Sequence, residues 1–273
     1  MDKSPENSNS AEGRGDLTGD LGSALEADQF FLVYQPTIDL QTDAFAGVEA
    51  LIRWRHPTHG VVNPETFIAK LEESGQIVPV GRWALATACA QGALWHAKGY
   101  RFAVSANISP KQLESAEFAD DVAAALSSSR FDPALLVLEF SQETLTRDAE
   151  STIERLEPLK NLGVRLAVDD FSPDDSPLAD LERFHIDIVK LDKNFIAGIS
   201  NSQDAAQIHD LVQLARTLKI QIFASGIEDA DQAKQLQIEE VDIGQGFFFS
   251  RPHVAAEIDQ FLEDFAIFSG KPL

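Results

Sequence analysis

The chain has 273 residues, 44% of them hydrophobic, and a formal net charge of -22. That length supplies one sizeable core, within the range of a single α/β barrel of about 250 residues. The charge argues against a nucleic-acid polymer as partner, since phosphate neutralisation needs clustered Lys and Arg, and any phosphate-bearing ligand would need a cation or a local basic patch.

Residues 1–20 are rich in Ser, Asn, Gly and acidic side chains, lack the apolar run of a secretory signal, and are expected to be a disordered acidic tail. One domain is expected over residues 21–273. Short β-rich runs then alternate with longer helical ones. Strands are predicted at Phe30–Gln35 and Phe45–Trp54, followed by helices at Pro64–Glu73 and Val80–Lys98. In the first of these helices Phe67, Ile68 and Leu71 share one face. The second carries Cys89, the only cysteine, which reads as a small core residue. One thiol makes no disulfide framework and no Cys-based metal site, which fits a reducing cytoplasm. Gly99 stands where a left-handed C-cap is expected. Strands follow at Phe102–Ile108 and Leu135–Phe140, then a helix at Thr144–Leu162 closed by Gly163. The remaining strands are Val164–Asp169, Ile186–Leu191, Gln221–Ser225 and Val241–Gln245, with helices at Asp204–Leu218 and Asp231–Gln237 between them. No run of about 18 apolar residues is free of charge, so no membrane span is expected.

Alternating strands and helices imply a largely parallel sheet with helices outside it. About eight strands favour closure into a barrel, where chemistry sits at the C-terminal strand ends. Those ends carry Asn107, Glu139, Asp169 with Asp170, Lys190, Ser225 and Gln245, while Glu49 interrupts an otherwise apolar early strand. One polar strand end is usually a satisfied structural group. Several, dominated by carboxylates, would repel one another without a cation, and oxygen ligands of this kind suit Mg2+ or Mn2+. His56, His59, His96, His185, His209 and His253 show no metal-binding spacing and read as structural or exposed.

Read in order, Tyr34-Gln35-Pro36, Glu49-Ala50-Leu51, Arg53-Trp54, His56-Pro57, Asn107-Ile108-Ser109 and Gln112-Leu113 resemble the EAL-type cyclic di-GMP phosphodiesterases. The resemblance continues through Leu138-Glu139, Asp169-Asp170-Phe171, Lys190-Leu191-Asp192, Gly226-Ile227-Glu228, Gln245-Gly246 and Ser250-Arg251-Pro252. It implies a TIM-like (β/α)8 barrel with one strand reversed, and a metal-dependent hydrolysis of cyclic di-GMP to pGpG. By the same resemblance Glu49, Asn107, Glu139 and Asp169 would hold a first ion, and Asp169 with Asp170 a second. Lys190 would orient the attacking water, Gln35 and Arg53 would contact the nucleotide, and Glu228 and Gln245 would fix ligand geometry. Plainer alternatives are a solvated Lys190, an Arg53 that braces the barrel, and an Asp170 that caps a helix.

Three positions depart from the family's pattern. Ser225 stands where it has a Glu that ligates the second ion. Gln142 replaces a Glu that braces the loop after the paired aspartates. In that loop Ser172-Pro173-Asp174-Asp175-Ser176-Pro177 lacks both family glycines. The resulting expectation is a degenerate EAL domain that binds cyclic di-GMP, a protein partner or both, with hydrolysis absent or strongly reduced. A working Mg2+- or Mn2+-dependent phosphodiesterase is the alternative, with Asp174 or Asp175 as a conceivable substitute ligand. A barrel kept for protein contacts alone is the third reading. The resemblance further implies a bacterial cytoplasmic protein and a homodimer.

Overall fold

The computed structural model describes residues 18–172, 178–199 and 202–269. Helix α1 (Thr18–Ala24) leads into β1 (Phe30–Asp39), β2 (Ala44–His56) and a short β3 (Gly60–Val62). Helices α2 (Pro64–Ser74) and α3 (Ile77–Ala97) precede β4 (Ala103–Asn107), α4 (Pro110–Glu114) and α5 (Phe118–Ser129). Then come β5 (Leu136–Ser141), α6 (Gln142–Arg147), α7 (Ala149–Asn161), β6 (Arg165–Phe171) and β7 (Ile188–Leu191). The chain finishes with α8 (Lys193–Ala197), α9 (Ser202–Leu218), β8 (Gln221–Ala224), α10 (Ala230–Ile238), β9 (Ile243–Gly244) and α11 (Ala255–Ser269).

Eight strands close into a barrel in the order β1-β2-β4-β5-β6-β7-β8-β9, and β3 is a hairpin strand on the free edge of β2. Strand β1 is antiparallel to both of its barrel neighbours, whereas β2 and β4 to β9 run parallel. The expected reversed strand is therefore β1. Parallel strands covered on both faces must be apolar along their length, which is why β5 (LVLEFS) is buried from Leu136 to Phe140. Alternation sends Leu136, Leu138, Leu166, Val168 and Ile222 outward into one large core beneath the helices. It sends Val137, Ala167, Ile188 and Phe223 inward to fill the barrel.

Two aspartates pin neighbouring strands at the end of the barrel away from the site. Leu166 N–H donates to Asp187 Oδ2 and Ile222 N–H to Asp242 Oδ2, each at 2.7 Å. Both expected left-handed glycines are present, with φ of 95° at Gly99 and 86° at Gly163. The single helix expected over Thr144–Leu162 is two. The chain turns at Asp148 (φ -142°, ψ 81°), whose carboxylate accepts the Ser151 N–H and caps α7. Helix α1 opens at Thr18, inside the stretch expected to be an acidic tail; residues 1–17 of that stretch lie outside the described residues. Cys89 is fully buried in the core. Among the described residues no helix is long and apolar enough to cross a membrane.

Candidate active site

Strand register brings the polar strand ends to one level of the barrel. Gln35 faces Glu49 across β1 and β2, Asn107 faces Glu139 across β4 and β5, and Ser141 faces Asp169 across β5 and β6. Closure of the ring then turns these neighbours toward a common centre, which is occupied by the Lys190 ammonium. Its Nζ lies 2.6 Å from Glu139 Oε2, 3.1 Å from Glu49 Oε2 and 3.4 Å from Asp169 Oδ1. Asn107 Nδ2 donates to Glu49 Oε1 (2.7 Å) and Gln245 Nε2 to Glu49 Oε2 (3.1 Å). Lys190 is 2% exposed, which rules out a solvated lysine.

Three carboxylates against one ammonium leave an excess of negative charge. Burial favours the neutral form of Glu49, but the Lys190 charge and hydrogen bonds from Asn107, Gln245 and Lys190 outweigh it and hold the carboxyl below its usual range. Glu139 goes the other way. Burial, then the Glu49 charge, push it up to about 8 although Lys190 opposes both. Burial works against the charged form of Lys190, yet Asp169, Glu139 and Glu49 raise its pKa well above the ordinary lysine value. Asp170 is raised by burial and by Asp169. Together these shifts describe a cluster short of positive charge.

Among the described residues no three His, Cys, Asp or Glu side chains are arranged to hold a metal ion. The Lys190 ammonium lies among these carboxylates and offsets part of their charge. The donor set itself, three carboxylates and the Asn107 amide, fits a hard divalent ion that would share the carboxylates with Lys190.

Local devices hold the rim. Beyond Asn107, the Ser109 hydroxyl accepts the Gln112 N–H (3.2 Å) and the Gln112 amide oxygen accepts the Ser109 N–H (3.2 Å), a capping box that opens α4. Gln112 packs so tightly on α3 that a Cβ at Gly81 would lie 2.1 Å from its side chain. Asp170 has a φ of 53° and belongs to β6, so it caps no helix; aspartate enters this left-handed region more readily than most side chains. Gln142 Oε1 accepts the Ser172 N–H at 3.0 Å, so the first residue of the altered loop is still tied down, by a neutral amide. Residues 173–177, including Asp174 and Asp175, lie outside the described residues. Ser225 donates its hydroxyl to the Leu191 carbonyl oxygen (2.9 Å).

The expected nucleotide contacts are spread more widely. Gln245 is buried in the cluster, and Gln35 Nε2 donates to the Ser250 carbonyl oxygen (3.2 Å). Arg53 is half-buried, with Nη1 donating to the Ile52 carbonyl oxygen (2.8 Å). Glu228 is exposed, and its N–H donates to Gln232 Oε1 (2.8 Å). None of these four lines the cavity of about 640 Å³ that opens beside Glu49, Asn107, Glu139, Asp169 and Asp170. Its remaining wall is mostly apolar, with Leu32, Ile52, Ile68, Val80 and Leu85, and it adds the carboxylates of Glu65 and Glu72. Sequence reading missed this wall. The residues come from distant elements, and each carries an ordinary core signature on its own.

Comparison with known proteins points to one family. The EAL domain profile matches residues 18–252. MucR of Pseudomonas aeruginosa, a bifunctional diguanylate cyclase/cyclic di-GMP phosphodiesterase, is 37% identical over 244 residues, covering 89% of this chain and 36% of MucR. NbdA, a cyclic di-GMP phosphodiesterase of the same species, is 35% identical over 256 residues, covering 93% of this chain and 33% of NbdA. The chain thus spans about a third of the length of these curated relatives. A solved structure of the PaMucR phosphodiesterase in complex with c-di-GMP superposes with a TM-score of 0.84 at 36% identity, covering 89% of this chain and 100% of that one.

Proposed function

From the premise that the chain belongs to the EAL domain family, we propose that it binds cyclic di-GMP at the barrel rim and hydrolyses it slowly or not at all. The observation that carries this is Ser225. The family pattern has a carboxylate at this strand end, whereas here a neutral hydroxyl donates to the Leu191 backbone. Glu49, Asn107, Glu139 and Asp169 would hold one Mg2+ or Mn2+, and Asp169 with Asp170 would be left to hold a second without a further charged ligand. Such ions, when bound, neutralise the phosphate and lower the pKa of bound water.

The chain's own groups then have separable roles. Lys190 supplies a buried positive charge toward developing negative charge at the phosphate. Gln245 and Asn107 fix the orientation of Glu49 by donating to its two oxygens. Gln35 and Arg53 would contact the nucleotide from β1 and β2, and Glu228 would act from the loop after β8. Gln142 keeps a hydrogen bond to the loop but offers no charge there. A cytoplasmic homodimer that passes ligand state to a protein partner completes the reading.

The intact Glu49–Glu139–Asp169–Lys190 cluster favours a second reading, a working Mg2+- or Mn2+-dependent phosphodiesterase. One assay separates the two. The chain, its Ser225→Glu variant and a Glu49→Ala control are incubated with cyclic di-GMP and excess Mg2+ or Mn2+, and pGpG is followed by chromatography. The leading reading expects Ser225→Glu to exceed the native sequence by at least about 10–100-fold, the usual effect of completing a metal's surroundings. Steady pGpG production by the native sequence that vanishes in Glu49→Ala and does not rise in Ser225→Glu establishes the second reading instead.

A further inference from the structure

Beneath the Glu49–Glu139–Asp169 cluster the barrel is not fully packed. Barrel interiors are usually filled by layers of bulky branched side chains, but here β2 and β4 turn Gly47, Ala103 and Ser105 inward. They are small because the two strands approach closely: a Cβ at Gly47 would lie 2.5 Å from the Ala103 carbonyl oxygen. A cavity of about 230 Å³ results, walled by Val137, Ile188 and Phe223 and by the polar side chains of Thr37, Ser105, Arg165 and Gln221. One water needs only about 10–15 Å³. Ala103, Arg165 and Gln221 open their strands and are partly exposed, as is Ile243, so the mouth lies at the base of the barrel, away from the rim. Glu139 forms the roof, with Oε2 bound to Lys190 Nζ at 2.6 Å.

Two features make this cavity more than a packing gap. Thr37 and Ser105 are 5% and 9% exposed, and among the described residues neither hydroxyl has a hydrogen-bond partner. No fully enclosed side-chain nitrogen or oxygen among those residues lacks a partner, so both hydroxyls open onto the cavity. Buried hydroxyls left unpaired are costly, and these two can be satisfied only by something held between them. The second feature is Arg165. Its guanidinium donates to Gln221 Oε1 and has no carboxylate partner among the described residues. Burial lowers its pKa, and the Asp187 charge offsets that only in part. Asp187 is engaged elsewhere: Lys160 Nζ donates to both its oxygens (2.8 and 2.7 Å) and the Leu166 N–H to one of them (2.7 Å). An arginine without an acid is unusual in a chain of net charge -22, where Arg82, Lys98, Arg101, Lys160 and Arg216 are all paired.

We propose that this cavity binds a small oxyanion of the phosphate class, entering from the base of the barrel. Arg165 supplies the charge and in-plane donors. The Thr37 and Ser105 hydroxyls and the Gln221 amide nitrogen complete a set of donors around the same space. The base is preorganised, because the Gln221 N–H donates to the Asp187 carbonyl oxygen (2.9 Å) beside the Asp187 carboxylate that pins Leu166. A volume of about 230 Å³ takes such an anion with a few waters, and falls below the roughly 300 Å³ at which pockets begin to hold drug-sized ligands. The site is separate from the rim and does not depend on the function proposed there.

The test is equilibrium dialysis of the full chain against radiolabelled inorganic phosphate, with a chelator present and ionic strength held constant with chloride. The native sequence should bind one phosphate saturably. Arg165→Gln should weaken binding by about 10–100-fold, the loss of a charge-assisted hydrogen bond. Thr37→Val, which keeps the side-chain shape, and Ser105→Ala should each weaken it by about 2–10-fold. Thermal melts in chloride establish that each variant is folded, and the Thr37 and Ser105 variants carry the test should Arg165→Gln fail to fold. Absence of saturable phosphate binding by the native sequence overturns the proposal, as does binding that all three variants retain in full. Weakening by Arg165→Gln with none by the other two would put the anion on the outer surface of the base and also overturns the enclosed site. No cyclic di-GMP enters this experiment, so its failure leaves the proposed function standing.

Discussion

Replacing Lys190 by Met tests whether the ammonium stands in for a cation. Met is similar in length and packs readily, so the change removes charge with little change in volume. It leaves Glu49, Glu139 and Asp169 facing one another, with Glu49 and Glu139 almost fully buried. Removing one partner of a buried ionic cluster costs about 3–5 kcal/mol. In a domain of this size that lowers Tm by about 6–20 °C, at 2–4 °C per kcal/mol. Glu139 moderates the loss, because burial and Glu49 have already pushed it up to about 8 and its carboxyl can stay protonated at neutral pH. The lower half of the range is therefore expected at pH 7. Thermal melts with and without Mg2+ or Mn2+ complete the test. A cation at about 100 times its Kd stabilises by about 2.7 kcal/mol, and the variant should gain more than the native sequence because no ammonium competes for the carboxylates. The double variant Lys190→Met/Glu139→Gln should recover part of the loss by removing one of the mutually repelling carboxyls. A Tm drop below about 2 °C in Lys190→Met, well under the expected range, would refute the reasoning, as would a metal-induced shift no larger than the native one.

Two other outcomes follow from the packing. Burial pushes the Cys89 thiol up to about 12, so at pH 8 it stays protonated and enclosed; a thiol reagent should label it only after denaturant is added, and rapid native labelling would contradict its place in the core. Gly246→Ala should destabilise by at least about 1–3 kcal/mol in urea melts, as overpacking does, because its Cβ would meet the Ile227 backbone at 1.9 Å. Gly22→Ala in α1 meets nothing within 4 Å and should be neutral or stabilising by up to about 1 kcal/mol; similar losses at both positions would point to a general intolerance rather than to the contact.

Much of the site could be read from sequence because a parallel barrel strand is buried on both faces, and burial makes any polar residue in it conspicuous. Glu139 in LVLEFS and Lys190 in IVKL stand out for that reason, and closure of the ring brings them together. What escaped the sequence depends on contacts between distant segments. Gln112 enters the sequence reading only as part of a motif, and only the fold shows it packed where Gly81 on α3 leaves room and clamping the turn after Asn107. The break at Asp148 carried a signal, since aspartate favours helix caps over interiors, but acidic residues also occur on exposed helix faces. Ser225 is the instructive case. Its identity announces a missing carboxylate, but only the fold shows the hydroxyl joined to Leu191, 34 residues earlier in the chain. A hydroxyl held in that way closes the strand end structurally, so the barrel can lose the acid without losing the rim. On the proposed reading, that separation would let the chain keep Glu49, Asn107, Glu139, Asp169 and Lys190 in place for binding while turnover is lost at a single strand end.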